Sequence, residues 1–235
     1  MKTIYPIIVL FFTSSILLAQ NLLEPVFIFS AKRNAIFSLT NRDTIKGRLI
    51  FSKMKKGLFD TITIKDKEGK KHKLKASEIS NMYLPIGGLN DFVTKYSKYD
   101  NVSNWDDDSS LNQEYITDGY AYYEQVEIII NKEKRFLLMQ LLNPAYCKKI
   151  KVYHNPNSGE TAGWASHGLT VAGGHTKSYY VKKENNIAFK LKKKSFDEEF
   201  LNLFSDCDTF MKKNGEKPKW EDFEELIYEY ATTCD

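Results

Sequence analysis

Apolar and polar residues alternate with a period of two along residues 26–84. The alternation places a set of apolar residues on one face: Ile45, Leu49, Phe51, Leu58, Ile62 and Ile64. Such a pattern is typical of β-strands that bury one side. About five short strands in roughly sixty residues have too little area for a sandwich but enough to curl into a small barrel. We therefore expect residues 20–84 to form a small β-barrel.

Residues 66–69, Asp-Lys-Glu-Gly, are predicted to form a hairpin loop with Gly69 where positive φ is favoured. The return strand places alternate residues on opposite faces: Lys71, Lys73 and Lys75 outward, and His72, Leu74 and Ala76 inward. Small basic barrels often bind nucleic acid, but this alternation contains no aromatic residue on which a base would stack. We interpret the lysines as a solvated face that also opposes edge-to-edge aggregation, and predict no nucleic-acid partner.

The same segments resemble a known architecture. The stretches DTIKGRL at 43–49 and ITIKDKEGKKHKLKASEI at 62–79 resemble the SH3-like or Sm-like small β-barrel. The shared pattern is a polar turn, a strand containing glycine, a hairpin, and a short turn before a closing strand. Together with an N-terminal leader and a helical C-terminus that carries cysteine, the whole chain resembles uncharacterised exported proteins of Bacteroidota. The resemblance implies an architecture and no activity.

Residues 85–118 differ in composition from the segments around them. Lysine and arginine are missing from 99 to 131, while acidic residues accumulate, including the run at 106–108. That run lacks the Asp-x-Asp-x-Asp-Gly order of a calcium loop, so we interpret it as solvated. Long segments without periodicity mark boundaries or insertions. We therefore expect 85–118 to be a linker or long surface loop.

A second strand-rich region is predicted at 119–194. Its β-branched and aromatic runs are 120–130, 135–142, 149–154, 178–183 and 187–192. Periodicity leaves open whether this antiparallel region is separate or shares one sheet with the first.

From Ser195 the apolar period becomes helical. Ser195 and Glu198 have the spacing of a capping box, which favours a helix start. The first apolar stripe comprises Phe196, Phe200, Leu203, Phe204, Cys207 and Phe210, and the second comprises Phe223, Leu226, Ile227 and Tyr230. The segment 195–235 is therefore predicted to be a helical hairpin. The fold class is α+β and mostly β. Collagen and wholesale disorder are excluded because 42% of the 235 residues are apolar and 14% are aromatic.

Residues 1–19 have the layout of a secretory signal peptide. Lys2 precedes an apolar run that is too short for a comfortable bilayer span, and Ala19 lies at the expected cleavage point. The alternative is a retained anchor helix, because Leu17 is larger than the usual residue two positions before the cut. No later segment approaches 18 consecutive apolar residues, so we predict no stable membrane span after cleavage. The protein is expected in the periplasm or outside the cell.

Export places the three cysteines in an oxidising compartment, where thiols tend to pair. Cys207 and Cys234 lie in the two predicted helices, so we expect a disulfide between them, worth about 3 kcal/mol. Cys147 would then be a buried thiol. The alternative is three unpaired cysteines in the core, since sequence alone does not fix connectivity.

The segment 155–176 contains five glycines and most of the candidate binding residues. These candidates are His154, Glu160, Trp164, His167 and His175. Three histidines and a carboxylate are potential metal ligands, but their spacing matches no compact zinc pattern, so we predict no metal site. Ser166 beside His167 lacks the Gly-x-Ser-x-Gly arrangement of a nucleophile elbow. We expect a flexible or β-extended surface loop, and the alternative is a segment that contacts a ligand or partner through these residues.

The leading hypothesis is a non-catalytic exported protein that binds a protein, glycan or envelope partner, or serves as a structural component of the cell envelope. No nucleophile, acid–base pair or metal cluster passes a spacing test, and no cofactor is predicted. The alternative is a secreted hydrolase, metal-assisted or not, that uses the segment from His154 to His175. The two hypotheses differ in whether the imidazoles converge on a pocket.

Overall fold

The computed structural model describes residues 22–87, 111–130, 132–159, 165–166, 169–170, 176–216 and 218–234. A curled antiparallel sheet, a half-barrel, is followed by a smaller sheet and C-terminal helices. The predicted class, α+β and mostly β, is confirmed. No helix in these ranges is long and apolar enough to cross a membrane.

The large sheet has seven strands in the order β4-β3-β2-β1-β5-β6-β7, and all neighbours pair antiparallel. The strands are β1 (Asn34–Leu39), β2 (Thr44–Lys55), β3 (Leu58–Lys65), β4 (Lys71–Lys75), β5 (Ile79–Pro85), β6 (Tyr120–Ile130) and β7 (Glu133–Gln140). Strands β6 and β7 belong to the second predicted region, so the two regions share one sheet. Of the segment 85–118 that separates them, 88–110 lies outside the described residues.

One side of the sheet encloses what we call the inner core: Val26, Ala35, Phe37, Phe59, Ile62, Ile64, Leu74, Ile79, Met82, Leu84, Ala121, Tyr123 and Leu138. Gly47 in β2 allows a close approach, because a Cβ there would lie 2.6 Å from the carbonyl oxygen of Lys65. The hairpin between β3 and β4 is as predicted, and Gly69 has a φ of 85°. The three lysines of β4 are exposed, and Leu74 is buried.

The predicted inward position of Phe51 is wrong. Strand β2 carries an extra residue at Ile50, where the register with β3 shifts between Leu49 and Phe51. A bulge of this kind reverses the alternation of faces. Leu49 therefore packs against the inner core, whereas Phe51 is 59% exposed.

A second layer covers the outer side of the sheet at β1 and β5–β7. It comprises the short helix α1 (Gln113–Thr117) and a sheet in the order β12-β11-β8, with β8 (Ile150–Tyr153), β11 (Ser178–Lys183) and β12 (Phe189–Lys192). Between the layers lies the outer core: Ile36, Tyr83, Leu111, Ile116, Tyr120, Tyr122, Val126, Ile128, Met139, Leu141, Cys147, Tyr153 and Ala188. Strand β6 thus buries both of its faces. A separate antiparallel pair is formed by β9 (Ala165–Ser166) and β10 (Leu169–Thr170).

Three helices pack against the other side of the small sheet: α2 (Phe196–Phe204), α3 (Asp208–Asn214) and α4 (Phe223–Thr233). The first predicted helix is two helices, interrupted at 205–207, although its apolar stripe is buried as expected apart from the half-buried Cys207. The capping box is also wrong, since the Ser195 hydroxyl donates to the carbonyl of Lys192 (3.3 Å) and makes no cap hydrogen bond.

The predicted disulfide between Cys207 and Cys234 is confirmed, with a Cα–Cα distance of 5.9 Å. It joins the segment between α2 and α3 to the end of α4. Cys147 is fully buried in the outer core, and its thiol donates to the carbonyl oxygen of Pro144 at 3.7 Å. Both expectations about the cysteines therefore hold.

Candidate functional site

Of the five predicted binding residues, the structure describes His154. Glu160, Trp164, His167 and His175 lie outside the described residues. The metal and hydrolase hypotheses depend on them and stay predictions. Among the described residues, no group of three or more His, Cys, Asp or Glu side chains could hold a metal ion.

His154 follows β8, and its backbone N–H donates to the carbonyl of Gln140 at 3.0 Å. Its ring packs edge-on against Phe27, with 5.7 Å between the ring centroids. Burial lowers the pKa of His154 to about 4, because the charged imidazolium loses its hydration. At neutral pH the side chain is therefore an uncharged, partly apolar surface beside Phe27.

A hydrogen-bond network ties together the two ends of the segment 160–175. Asn155 is 1% exposed, and its Nδ2 donates to the hydroxyl of Ser178 at 2.8 Å. The hydroxyl of Ser158 accepts from the backbone N–H of Ser178 at 2.9 Å. The N–H of Lys177 donates to the carbonyl of Gly159, also at 2.9 Å. Residues 155–159, which follow His154 in sequence, are therefore joined to residues 177–178 by hydrogen bonds.

The tip of the β2–β3 hairpin packs against Pro156 and Asn157. Asn157 donates from Nδ2 to the carbonyl of Lys56 at 3.3 Å. Gly57 has a φ of 76°, and a Cβ there would lie 2.5 Å from the Cβ of Pro156. Glycine meets both demands, because it lacks a Cβ and adopts positive φ without strain.

Two large apolar side chains of the N-terminal segment project into solvent: Phe27, which contacts His154, is 70% exposed and Ile28 is 69% exposed. Hydrogen bonds fix the backbone on both sides of them. The carbonyl of Val26 accepts from the hydroxyl of Tyr123 at 3.2 Å, and that of Ile28 accepts from the N–H of Gly87 at 2.9 Å. We call Phe27, Ile28 and His154 the Phe27 surface.

Sequence reasoning missed Phe27 and Ile28. Both fall within an apolar run, Val-Phe-Ile-Phe at 26–29, in which Val26 is buried and Phe29 is half-buried. Nothing in that run distinguishes the residues that face solvent from those that face the core. The difference arises from the pairing of Phe29 with Ile86 and from the hydrogen bond that Val26 donates to the buried side chain of Gln140.

A buried polar cluster ties the two sheets together at Glu124 of β6. Its carboxylate accepts from the hydroxyl of Tyr153 (2.6 Å), the ammonium of Lys151 (3.1 Å) and the hydroxyl of Tyr122 (3.3 Å). Burial, reinforced by the carboxylate, raises the pKa of both tyrosines well above the ordinary value, so they stay protonated donors. The Glu124 carboxylate already accepts from three donors, and two of these hydrogen bonds join β6 to β8. We interpret the cluster as structural.

Comparison of the chain with family models, with curated proteins and with solved structures finds no match.

Proposed function

We propose that this chain is an exported, non-catalytic binding protein of the cell envelope, and that the Phe27 surface contacts its partner. The observation that carries the proposal is the exposure of Phe27 and Ile28 on a backbone held at both ends. Aromatic side chains held rigid before binding lose little entropy on contact and are enriched among residues that dominate binding energy.

The state of His154 supports binding over acid–base catalysis. A general base works best with a pKa near the working pH, whereas burial keeps the pKa of His154 at about 4. Because the imidazole of His154 is uncharged at neutral pH, it adds to the apolar surface beside Phe27. The hydrolase alternative uses residues outside the described ranges, and no described contact favours it.

Export is supported by the leader at 1–19 and by the disulfide, since disulfides persist in oxidising compartments. The resemblance to exported proteins of Bacteroidota type, with an SH3-like N-terminal barrel, belongs to the same proposal. The curled sheet at 34–85 is compatible with that resemblance.

Site-specific photo-crosslinking tests the proposal in the cells that produce the protein. A benzophenone amino acid replaces Phe27 in one variant and Leu201 in the matched control. Leu201 is an apolar residue of α2 with 57% exposure, comparable to that of Phe27. We expect a heavier adduct from position 27 and none from 201. Equal adducts at both positions, or none at 27, would contradict the proposal.

A further inference from the structure

The outer side of β2, β3 and β4 is a basic sheet surface. Its outward side chains form rows across the three strands: Arg48 opposite Lys65 opposite Lys71, then Phe51, Thr63 and Lys73, then Lys53, Thr61 and Lys75. We call the cations of these rows the basic face: Arg48, Lys53, Lys65, Lys71, Lys73 and Lys75. All six are exposed.

The charge of the basic face is poorly compensated. Side chains directly opposite on paired strands have Cβ atoms about 5 Å apart, and like charges in directly opposite positions, as in Arg48, Lys65 and Lys71, are destabilising. Asp60 pairs with Lys53 at 3.5 Å. No other acidic side chain in the described ranges forms an ion pair with a member of the face. The whole chain has a net charge of only +4, so the face concentrates positive charge that the rest of the protein largely balances.

Apolar side chains lie within the same surface. The bulge at Ile50 turns Phe51 outward into the middle row, where it is 59% exposed, and Ile50 itself is 48% exposed. Two cross-strand rows of cations therefore flank an exposed aromatic ring.

We propose that the basic face and Phe51 bind the anionic lipid headgroups of a membrane surface. The cations are spread over three neighbouring strands in three rows, and such a two-dimensional array matches a surface of charges better than it matches one linear polyanion. Basic side chains near an anionic bilayer are attracted to its surface, and aromatic rings favour its interface. A single-stranded nucleic acid would call for several stacking aromatics, whereas this face has one. The inference does not depend on the Phe27 surface, because the two surfaces have no residue in common.

Vesicle co-sedimentation of the exported protein tests the inference. The probes are vesicles of phosphatidylcholine alone and of phosphatidylcholine with about 30% phosphatidylglycerol. We expect binding to the anionic vesicles only. The triple variant Lys65→Gln/Lys71→Gln/Lys73→Gln should bind about 100-fold more weakly. Phe51→Ser, which keeps every charge, should bind about tenfold more weakly, because the ring no longer enters the interface.

The matched control is Lys192→Gln/Lys194→Gln/Lys212→Gln, which removes the same charge from exposed lysines outside the large sheet. It should bind like the unmodified protein. Equal loss in both triple variants would mean that net charge alone drives binding, and would overturn the inference. Dextran sulfate or single-stranded DNA bound more tightly than vesicles, with no effect of Phe51→Ser, would also overturn it in favour of a polymeric anion.

Circular dichroism and thermal unfolding confirm that each variant is folded. If the triple variant does not fold, Lys73→Gln alone replaces it, with Lys194→Gln as its control. We then expect Lys73→Gln to bind vesicles about fivefold more weakly and Lys194→Gln to bind them like the unmodified protein. Equal losses would contradict the inference.

Discussion

The two halves of the large sheet pack against one inner core but carry different side chains on their outer sides. At β1 and β5–β7 the outer side chains are apolar and lie under the second layer. At β2–β4 they are mostly cationic and face solvent. The difference shows that a single sheet can combine a half that is buried on both sides with a half that presents a charged surface.

Local sequence encodes this difference. Strand β6, YAYYEQVEIII, has apolar or aromatic residues at eight of its eleven positions and on both faces, as expected of a strand buried on both sides. Strand β4, KHKLK, alternates cleanly, as expected of a strand with one solvated face.

The largest expected effect concerns the covered half, where Glu124 bonds β6 to the second layer. Replacing Glu124 by Ala removes the acceptor of the buried Tyr153 hydroxyl and the carboxylate that pairs with the Lys151 ammonium. The side chains of Lys151 and Glu124 are 18% and 17% exposed, so the pair is largely buried, and breaking one side of a buried ion pair costs about 3–5 kcal/mol. We expect a loss of about 4 kcal/mol in the free energy of unfolding, measured by urea denaturation.

The control is Glu133→Ala in the neighbouring strand β7. Glu133 pairs with Arg135 at 2.9 Å, but their side chains are 69% and 52% exposed. Solvent screening makes such a pair worth at most about 0.5 kcal/mol. Comparable losses for the two glutamates would show that the Glu124 cluster does not hold the layers together.

The second prediction concerns the helices behind the small sheet. The disulfide spans 27 residues, so removing it with Cys207→Ser/Cys234→Ser should cost about 3.5 kcal/mol by the loop-closure relation. Thiol titration of the unmodified protein in denaturant should detect only Cys147. Three reactive thiols would contradict the bridge. A stability loss below about 1 kcal/mol would mean that the second layer does not depend on this link.

Much of the fold could be predicted because it depends on local pattern. The bounds expected for 120–130 and 178–183 coincide with β6 and β11, and the disulfide followed from two apolar helix stripes. The bulge at Ile50 and the helix break at 205–207 could not be predicted in this way. The bulge interrupts the two-residue period of a strand and the break interrupts the helical period, and tertiary contacts determine where each interruption falls.

The candidate site could be predicted from the sequence less well than the fold. His154 was identified as a histidine beside a glycine-rich segment, but its apolar partner Phe27 lies more than a hundred positions earlier. The Glu124 cluster likewise joins residues of β6 and β8 that share no sequence motif. Sequence distance hides such contacts, because they exist only after the two sheets have packed.

The third prediction concerns the border between the halves, where His154 lies near the β2–β3 hairpin tip. Its pKa is about 4 in the fold, against about 6.5 in an unfolded chain. Between these pH values the unfolded state binds more protons than the folded state. Above pH 6.5 the imidazole is neutral in both states and protonation does not affect the free energy of unfolding, whereas this free energy falls as the pH drops from 6.5 towards 4. We expect a loss of about 2 kcal/mol from this group, allowing for its partial exposure.

The measurement is the urea midpoint from pH 7 to pH 4 for the unmodified protein and for His154→Phe. The variant should lose less stability over this range, since phenylalanine binds no proton. His72→Gln, which changes the histidine of β4, serves as the control and should retain most of the loss. Parallel curves for the unmodified protein and His154→Phe would refute the assigned cause.

The smallest effect is expected at β2–β4, where exposed cations lie opposite one another and repel. Lys65 lies between Arg48 and Lys71 in one cross-strand row. Removing the central charge with Lys65→Gln relieves two unfavourable pairs, so we expect a gain of about 0.5 kcal/mol in the free energy of unfolding. The gain should vanish near 1 M salt, where screening acts within about 3 Å. Lys194→Gln, outside the sheet, should change nothing at either salt concentration. A loss of stability in Lys65→Gln at low salt would mean that this lysine stabilises the fold, and the cationic row would then need no external anion to explain it.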